Sequence, residues 1–313
     1  MSDAVEAVKP YRILSLDGGG AKGFYTLGVL AEIEGLIGCS LCEKFDLVFG
    51  TSTGAIIAAM ISLGMSVDEI HKHYKAFVPE VMRLKKPAAK SAKLAELSEA
   101  IFKDAKFDAV KIAVGIVTTN WVIERPMIFK GSVEQAHGRK GTFLPGFGVT
   151  IGDAVQASCS AVPFFSPKTV TKGNGDEVQL VDGGYCANNP TLYAIADATR
   201  ALNIAHKDLR VVSVGVGVYP SPKPPLFSIM YWAKYLQSVM LLQKTLEINT
   251  QSMDQLRVIM FKDVPTIRIS DTFEQPEMAT DLFEHDLKKL NILRQRGRES
   301  FAKNETLLRE FLL

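Results

Sequence analysis

Residues 11–23 read Tyr11-Arg-Ile-Leu-Ser-Leu-Asp-Gly-Gly-Gly-Ala-Lys-Gly23, and this stretch decides the fold. Its apolar first half predicts a buried strand, and the run of three glycines predicts a tight loop. Apolar residues then recur at helical spacing from Phe24 to Ile37, which predicts a helix. A second strand, Phe45–Phe49, leads into an apolar helix over Ala55–Leu63. This strand–helix–strand–helix order is typical of a parallel sheet with helices on both faces.

The rest of the chain extends the same pattern. Residues 68–106 are predicted to be helical and charged, residues 138–148 to form a glycine-rich loop, and residues 226–313 to be mostly helical. Further strands are predicted at Lys111–Thr118, Met127–Phe129, Val178–Val181 and Leu209–Val218, with a helix at Ile151–Cys159. A length of 313 residues fits one large α/β domain. We therefore expect a three-layer α/β/α sandwich with a mostly parallel central sheet and a helical C-terminal part, forming a single domain over 1–313 with a recognisable core at 11–195.

The composition argues against several classes of protein. The formal net charge is +2, which gives no general case for a nucleic-acid polymer as a partner. Residues 1–10 lack a cationic start followed by an apolar run, so no secretory signal is predicted. The longest apolar stretch, Ala55–Met65, is too short to span a bilayer. Cys39 and Cys42 have C-x-x-C spacing, but no second pair completes a zinc site, which favours reduced cysteines in a cytoplasmic protein.

The glycine loop is ambiguous by itself. Gly18, Gly20 and Gly23 match the G-x-G-x-x-G fingerprint of dinucleotide-binding folds. Such folds also need an acidic residue at the end of the second strand, and none follows Phe49. A phosphate-binding P-loop needs Ser or Thr after its lysine, where this chain has Gly23. The third use of such a loop is to stabilise an oxyanion with successive backbone N–H groups.

The sequence Gly50-Thr-Ser-Thr-Gly54 has the G-x-S-x-G pattern of a nucleophile elbow. It lies between an apolar strand and an apolar helix, which is the context that such an elbow requires. The glycines permit a sharp turn that exposes the serine hydroxyl, and the following helix directs its positive end at developing negative charge. The pattern therefore predicts that Ser52 is a catalytic nucleophile.

A serine nucleophile needs a base, and two schemes compete. A Ser-His-Asp triad would have to use His206 or His285, which follow Asp182 in the order usual for α/β-hydrolases. Neither histidine lies at a strand end or in a glycine-rich turn, and both read as surface residues. Asp182 itself ends a short predicted strand and precedes two glycines. Because ligands bind at the carboxyl ends of strands in open α/β sheets, Asp182 is the second candidate base.

Together these elements resemble the patatin-like phospholipase family. The matching segments run from residue 11 to about 195: Asp17-Gly-Gly-Gly-Ala-Lys-Gly23, Gly50–Gly54, Ala157-Ser-Cys-Ser-Ala-Val-Pro-Phe-Phe165, Asp182-Gly-Gly184 and Asn188-Asn-Pro190. The resemblance implies a carboxylic ester hydrolase that cleaves fatty-acyl esters of membrane phospholipids. The family commonly has arginine where this chain has Lys22, and both residues are cationic.

The resemblance also implies the site and its requirements. Ser52 and Asp182 form a dyad without histidine, and Gly18, Gly19 and Gly20 supply the oxyanion hole. No metal and no cofactor are implied. The protein is expected in the cytoplasm, contacting the inner face of the membrane when it is active.

One subgroup is especially similar: bacterial patatin-like effectors of anti-phage signalling that cyclic nucleotides switch on. The similarity rests on Leu14-Ser-Leu-Asp17, on the Gly50–Gly54 elbow and on Leu144-Pro-Gly-Phe-Gly148. It implies activation by a cyclic nucleotide, with a cyclic dinucleotide as a partner. A non-catalytic nucleotide sensor is the alternative from another class. The apolar segment 226–242 reads as a core helix or a homodimer face, with a lid or membrane surface as the alternative.

Overall fold

The structure is a computed structural model, and it describes residues 9–222 and 229–313, without the side chains of 229–237. The described strands are β1 Tyr11–Leu16, β2 Leu47–Thr51, β3 Ala113–Asn120, β4 Arg125–Lys130, β5 Lys168–Thr171, β6 Glu177–Asp182, β7 Leu209–Val214 and β8 Thr266–Ile269. The α-helices are α1 Gly23–Ile37, α2 Leu41–Lys44, α3 Thr53–Ser62, α4 Val67–Arg83, α5 Pro87–Phe102, α6 Ile151–Ser158, α7 Gly184–Ala187, α8 Thr191–Ala196, α9 Ile229–Met260 and α10 Leu287–Leu312. Within this part of the chain, no helix combines the length and apolar character needed to cross a membrane.

The strands form one eight-stranded mixed sheet in the order β5-β6-β3-β2-β1-β7-β8, with β4 paired to β3. The run β3-β2-β1-β7-β8 is parallel. The pairings of β3 with β4, β3 with β6 and β5 with β6 are antiparallel. The prediction of a mostly parallel centre is therefore confirmed, and an antiparallel region is added at one side.

One edge of β3 brings two strand ends together. β4 pairs with β3 along residues 115–120, so β2 and β6 must share the opposite edge. On that edge β2 extends as far as Thr51, opposite Val117. β6 arrives from the other direction and ends at Asp182, opposite Thr118. The residue that follows Thr51 is thereby placed beside Asp182.

Side chains of the strands alternate between two apolar cores. In β1, Leu14 lies in the larger core and Ile13 in the smaller one; in β2, Val48 and Leu47 are divided in the same way. Helices α1, α3, α4, α5, α6 and α10 contribute to the larger core, whereas α7 and α8 contribute to the smaller one. Two cores on opposite faces of one sheet confirm the predicted three-layer α/β/α sandwich. The single-domain organisation stays a prediction.

The C-terminal part differs from the prediction in one element. It is mostly helical, as expected, but it contains the strand β8, which pairs with β7 in parallel. Four residues are too few for a periodic signal, and pairing with β7 decides their conformation. The predicted segment 226–242 begins outside the described residues. Where its side chains are described, Val239 and Leu242 are buried and Leu241 is exposed.

Candidate active site

The elbow at Ser52 is a strained turn that close packing holds in place. Ser52 has φ 52° and ψ −119° immediately before α3. A Cβ on Gly50 would lie 2.2 Å from the carbonyl oxygen of Gly54, and a Cβ on Gly54 would lie 2.3 Å from that of Leu16. Only glycine fits at either position. The G-x-S-x-G pattern is thus explained by two close backbone approaches, and strain of this kind is concentrated at functional sites.

The structure brings Ser52 and Asp182 together. The hydroxyl of Ser52 donates a hydrogen bond of 2.7 Å to Oδ2 of Asp182. The other carboxylate oxygen, Oδ1, accepts a 2.7 Å hydrogen bond from the backbone N–H of Gly184. The two glycines that follow Asp182 therefore have a role, because the chain must turn back at once to deliver this N–H.

The environment of Asp182 raises its basicity. Burial raises the pKa of this carboxyl to about 6, opposed by the hydrogen bonds from Gly184 and Ser52. The cause is loss of solvation, which disfavours the charged form. A carboxylate with this pKa is a stronger base than an exposed aspartate and is still mostly ionised at pH 7.

Ser158, for which no role was predicted, supports the elbow from behind. Its hydroxyl accepts a 2.8 Å hydrogen bond from the backbone N–H of Ser52. The same hydroxyl donates a 2.6 Å bond to the carbonyl oxygen of Val117. Ser158 thus ties the nucleophile to β3, the strand that pairs with β6 next to Asp182. The quoted segment Ala157–Phe165 contained the signal, because it places small polar residues at the end of an apolar helix.

The three glycines of the loop are placed differently from one another. The N–H of Gly18 donates to the carbonyl of Asn188 at 2.9 Å. Gly19 and Gly20 line a cavity together with Ser52, and their N–H groups donate to no acceptor among the described residues. Gly20 has φ +58°, and a Cβ there would lie 2.4 Å from the carbonyl oxygen of Leu282. Gly19 and Gly20 therefore have unpaired backbone donors beside the nucleophile.

Two charged residues anchor this loop from the C-terminal part of the chain. Arg268 on β8 donates to both carboxylate oxygens of Asp17, with 2.9 Å between Nη1 and Oδ1. Lys22 is buried and pairs with Glu247 on α9 at 3.2 Å. Arg268 was not predicted, because it lies 251 positions from Asp17 in the chain. A lone arginine between two isoleucines in Thr266–Ile269 was the available signal.

The cavity in front of Ser52 is lined mainly by apolar side chains. Its volume is about 70 Å³, and helices α4 and α5 contribute Tyr74, Val78, Leu94 and Leu97 to its wall. The same four side chains also line a second apolar cavity of about 30 Å³ behind it. Leu282 and Phe283 contribute to the wall near the glycine loop. This arrangement fits an extended hydrocarbon chain that begins at the nucleophile.

The two candidate histidines contact groups other than Ser52. His206 pairs with Asp263 at 2.7 Å, and Nδ1 of His285 contacts the carbonyl of Phe283. Burial raises the pKa of the Cys159 thiol well above its usual range, so this cavity residue is not a rival thiolate. The four cysteines are unpaired. Among the residues whose side chains are described, no His, Cys, Asp and Glu group is arranged to hold a metal.

Comparison with known proteins agrees with this geometry. Residues 14–195 match the Patatin-like phospholipase family. The chain is 66% identical over 302 residues to a cUMP-AMP-activated phospholipase of Escherichia coli, covering 96% of this chain and 94% of that protein. It is 29% identical over 260 residues to a cGAMP-activated phospholipase of Escherichia coli, covering 75% and 70% of the two chains. A cGAMP-activated phospholipase of Vibrio cholerae is 28% identical over 230 residues, covering 66% and 62%. The chain therefore belongs to the patatin-like phospholipase family and is an ester hydrolase.

Proposed function

We propose that this protein hydrolyses fatty-acyl esters of membrane phospholipids with Ser52 and Asp182 as a catalytic dyad, and that a cyclic dinucleotide activates it in anti-phage signalling. The observation that carries the catalytic part is the 2.7 Å hydrogen bond from Ser52 to a buried carboxylate beside an apolar cavity. A base in hydrogen-bond reach of a strained, partly exposed serine is the arrangement that acyl transfer requires.

The first half of the reaction forms an acyl-enzyme. Oγ of Ser52 attacks the ester carbonyl carbon while its proton passes to Oδ2 of Asp182. The N–H groups of Gly19 and Gly20 stabilise the oxyanion, and Gly18 fixes the loop through its bond to Asn188. Collapse of the tetrahedral intermediate breaks the ester C–O bond. The leaving lysophospholipid alkoxide then takes the proton from Asp182.

The second half releases the fatty acid. Asp182, now ionised, accepts a proton from water as the water attacks the acyl carbon. The second tetrahedral intermediate expels Oγ of Ser52, which recovers its proton from Asp182. No histidine is needed, because the raised pKa of Asp182 lets one carboxyl act as base and then as acid.

A membrane substrate requires a surface that enters lipid. The turn between β3 and β4 exposes Trp121, Val122 and Ile123 at 46%, 72% and 58%. Because β2 and β3 are parallel, this turn projects from the same end of the sheet as Ser52. Consecutive apolar side chains that include tryptophan favour the interface of a bilayer. This turn is therefore the membrane contact in our proposal, made from the cytoplasmic side.

The activator is proposed from the relatives. Two of the relatives named above are activated by cGAMP according to their names, and the one that is 66% identical is named for activation by cUMP-AMP. The match to the latter extends over 96% of this chain, so it includes the C-terminal part outside the family core. A cyclic dinucleotide is consequently the expected activator, and cUMP-AMP is the first to test.

The test is fatty-acid release from phospholipid vesicles with and without cUMP-AMP or cGAMP. We expect nucleotide-dependent release that falls about 1000-fold or more in Ser52→Ala and in Asp182→Asn. His206→Ala and His285→Ala serve as matched controls and should keep the activity. Loss of activity in a histidine variant would favour a triad esterase. Nucleotide binding without hydrolysis under any condition would favour a non-catalytic sensor.

A further inference from the structure

A second cavity lies beside β4 and shares no lining residue with the cavity at Ser52. Its volume is about 630 Å³, which is within the range of small-molecule sites. Its wall combines cationic side chains with aromatic rings. The lining residues that matter here are Arg125, Lys130, Arg139, Phe143, Phe147 and Tyr193. We call it the basic cavity.

Two arginines of the basic cavity lack protein partners. The side chains of Arg125 and Arg139 are exposed, and neither donates a hydrogen bond to, or forms an ion pair with, another residue of the described chain. A guanidinium group presents a planar fork of donors that matches a phosphate in bidentate geometry. The pair therefore offers two sites for phosphodiester oxygens.

The floor of the basic cavity is fixed and electrically balanced. The buried carboxylate of Asp197 accepts hydrogen bonds from Lys130 at 2.6 Å and from Gln135 at 3.1 Å, and it contacts Nε2 of His137 at 2.7 Å. Lys130 thereby neutralises the negative charge of Asp197. The positive charge of Arg125 and Arg139 is left for a ligand.

The aromatic ring of Phe147 is carried by a loop with an unusual backbone. Gly146, Phe147 and Gly148 all have positive φ values, of 54°, 53° and 80°. Phe147 is 39% exposed even though its ring meets that of Phe129 edge to face at 5.7 Å. A strained aromatic residue kept at a cavity rim is typical of functional surfaces. Aromatic faces beside arginines are what bases and phosphates of a nucleotide require.

From these observations we infer that the basic cavity binds the activating cyclic dinucleotide, with Arg125 and Arg139 on the phosphodiesters and the rings of Phe143, Phe147 or Tyr193 on the bases. This inference rests on the activation proposed above. The cavity is connected to the catalytic centre through β4. The carbonyl of Met127 on β4 accepts a 2.6 Å hydrogen bond from Thr118, and Thr118 is the residue of β3 paired with Asp182.

The experiment measures direct binding and activation separately. Calorimetric titration of cUMP-AMP into the Ser52→Ala protein gives the Kd without hydrolysis. Adding Arg125→Gln or Arg139→Gln should weaken binding about tenfold each, because each change removes a charge-assisted contact. Phe143→Leu should weaken it as well, through lost stacking. Thermal melts of each variant check that the fold is retained.

Arg200→Gln is the matched control. Arg200 lines a neighbouring depression, outside the basic cavity. Its replacement should leave the Kd unchanged; if it alone weakens binding, the ligand lies in that depression and the inference is wrong. Unchanged Kd in both arginine variants of the basic cavity, or no binding of cUMP-AMP or cGAMP to Ser52→Ala, also overturns it.

The two proposals fail in different ways. If the nucleotide stimulates hydrolysis equally in wild type and in both arginine variants, the activated enzyme stands and the site is wrong. If the nucleotide binds Ser52→Ala through Arg125 and Arg139 but wild type never hydrolyses phospholipid, the site stands and the proposed enzymatic function is wrong.

Discussion

Behind Ser52 the polar atoms are paired, whereas in front of it the cavity leaves polar atoms unpaired. On the rear side, the hydroxyl of Ser158 accepts a hydrogen bond from the N–H of Ser52. The N–H of Gly184 donates to Oδ1 of Asp182, the carboxylate oxygen that does not contact Ser52. On the cavity side, Oγ1 of Thr53 and the hydroxyl of Tyr74 are buried without a hydrogen-bond partner. The two regions are in contact and contribute to one site, yet they differ in whether their polar atoms are hydrogen-bonded.

This difference indicates that the rear side carries out proton transfer and that the cavity side binds the acyl chain. Proton transfer requires donor and acceptor at fixed positions, and on the rear side hydrogen bonds hold both the N–H of Ser52 and the second oxygen of Asp182. An acyl chain has no polar groups to be matched and needs only an apolar volume. Changes behind Ser52 should therefore alter the rate for every ester, and changes in front should alter which ester is preferred.

Outside the dyad itself, the largest effect is expected at Gly20. Gly20→Ala places a Cβ 2.4 Å from the carbonyl of Leu282 at a residue with φ +58°, so the loop must shift. Misplacing the oxyanion donors should lower kcat about 100-fold for short and long esters alike. Gly35→Ala is the control, because it lies in α1 with no atom within 4 Å of a new Cβ. Full activity in Gly20→Ala would separate the loop from catalysis.

The pH profile tests the raised pKa of Asp182. The base must be ionised, so kcat/KM should be half-maximal at a pH of about 6 and level off above it. Well below pH 6, kcat/KM should fall about tenfold for each pH unit. A profile that is flat between pH 5 and 7 would contradict this role.

The same carboxyl should make stability depend on pH. Its pKa is higher in the folded than in the unfolded protein, so its contribution to stability is fully present below the unfolded value of about 4 and is lost as pH rises through about 6. Asp182→Asn should abolish catalysis, and it should make the melting temperature less dependent on pH between about 4 and 6.

A smaller loss of rate is expected at Ser158. Ser158→Ala leaves the N–H of Ser52 and the carbonyl of Val117 without their partner. The unpaired groups should cost about 1–3 kcal/mol of stability, and kcat should fall about tenfold as the elbow loosens. Ser160→Ala is the control, because the hydroxyl of Ser160 donates to the carbonyl of Gln156 on the preceding helix, α6. Equal kinetics in the two variants would remove Ser158 from the catalytic support.

The residues that the sequence predicted and those it missed differ in the range of their interactions. Ser52 and Asp182 each lie in a short pattern of strand, turn and glycine, so local rules placed both at strand ends. Ser158 and Arg268 act through contacts distant in the chain, which no local pattern specifies. Their partners are fixed by the pairing of β3 with β6 and by the small strand β8.

The strands and helices differ in the same way, between elements set by local sequence and elements set by distant contacts. The parallel strands β1 and β2 were predictable because each precedes a helix and is continuously apolar. The strands β5 and β8 have four residues each and owe their conformation to a neighbour. The cavity in front of Ser52 was not predictable either, because α4 and α5 looked only charged and helical in the sequence. Their apolar faces meet at the nucleophile only in the folded chain.

The smallest effect is expected in the cavity wall, at Leu97. This side chain lines both the cavity at Ser52 and the one behind it, so Leu97→Phe should narrow the passage between them. Long-chain esters should lose about tenfold in kcat/KM relative to short-chain esters, while short-chain hydrolysis persists. Leu293→Phe is the control for overpacking, because Leu293 is a buried leucine of α10 outside both cavities. An unchanged long-to-short ratio in Leu97→Phe would mean that the acyl chain takes another route. A uniform loss for all esters would mean that the cavity wall also sets the geometry of the dyad, and the contrast between the two sides of Ser52 would fail.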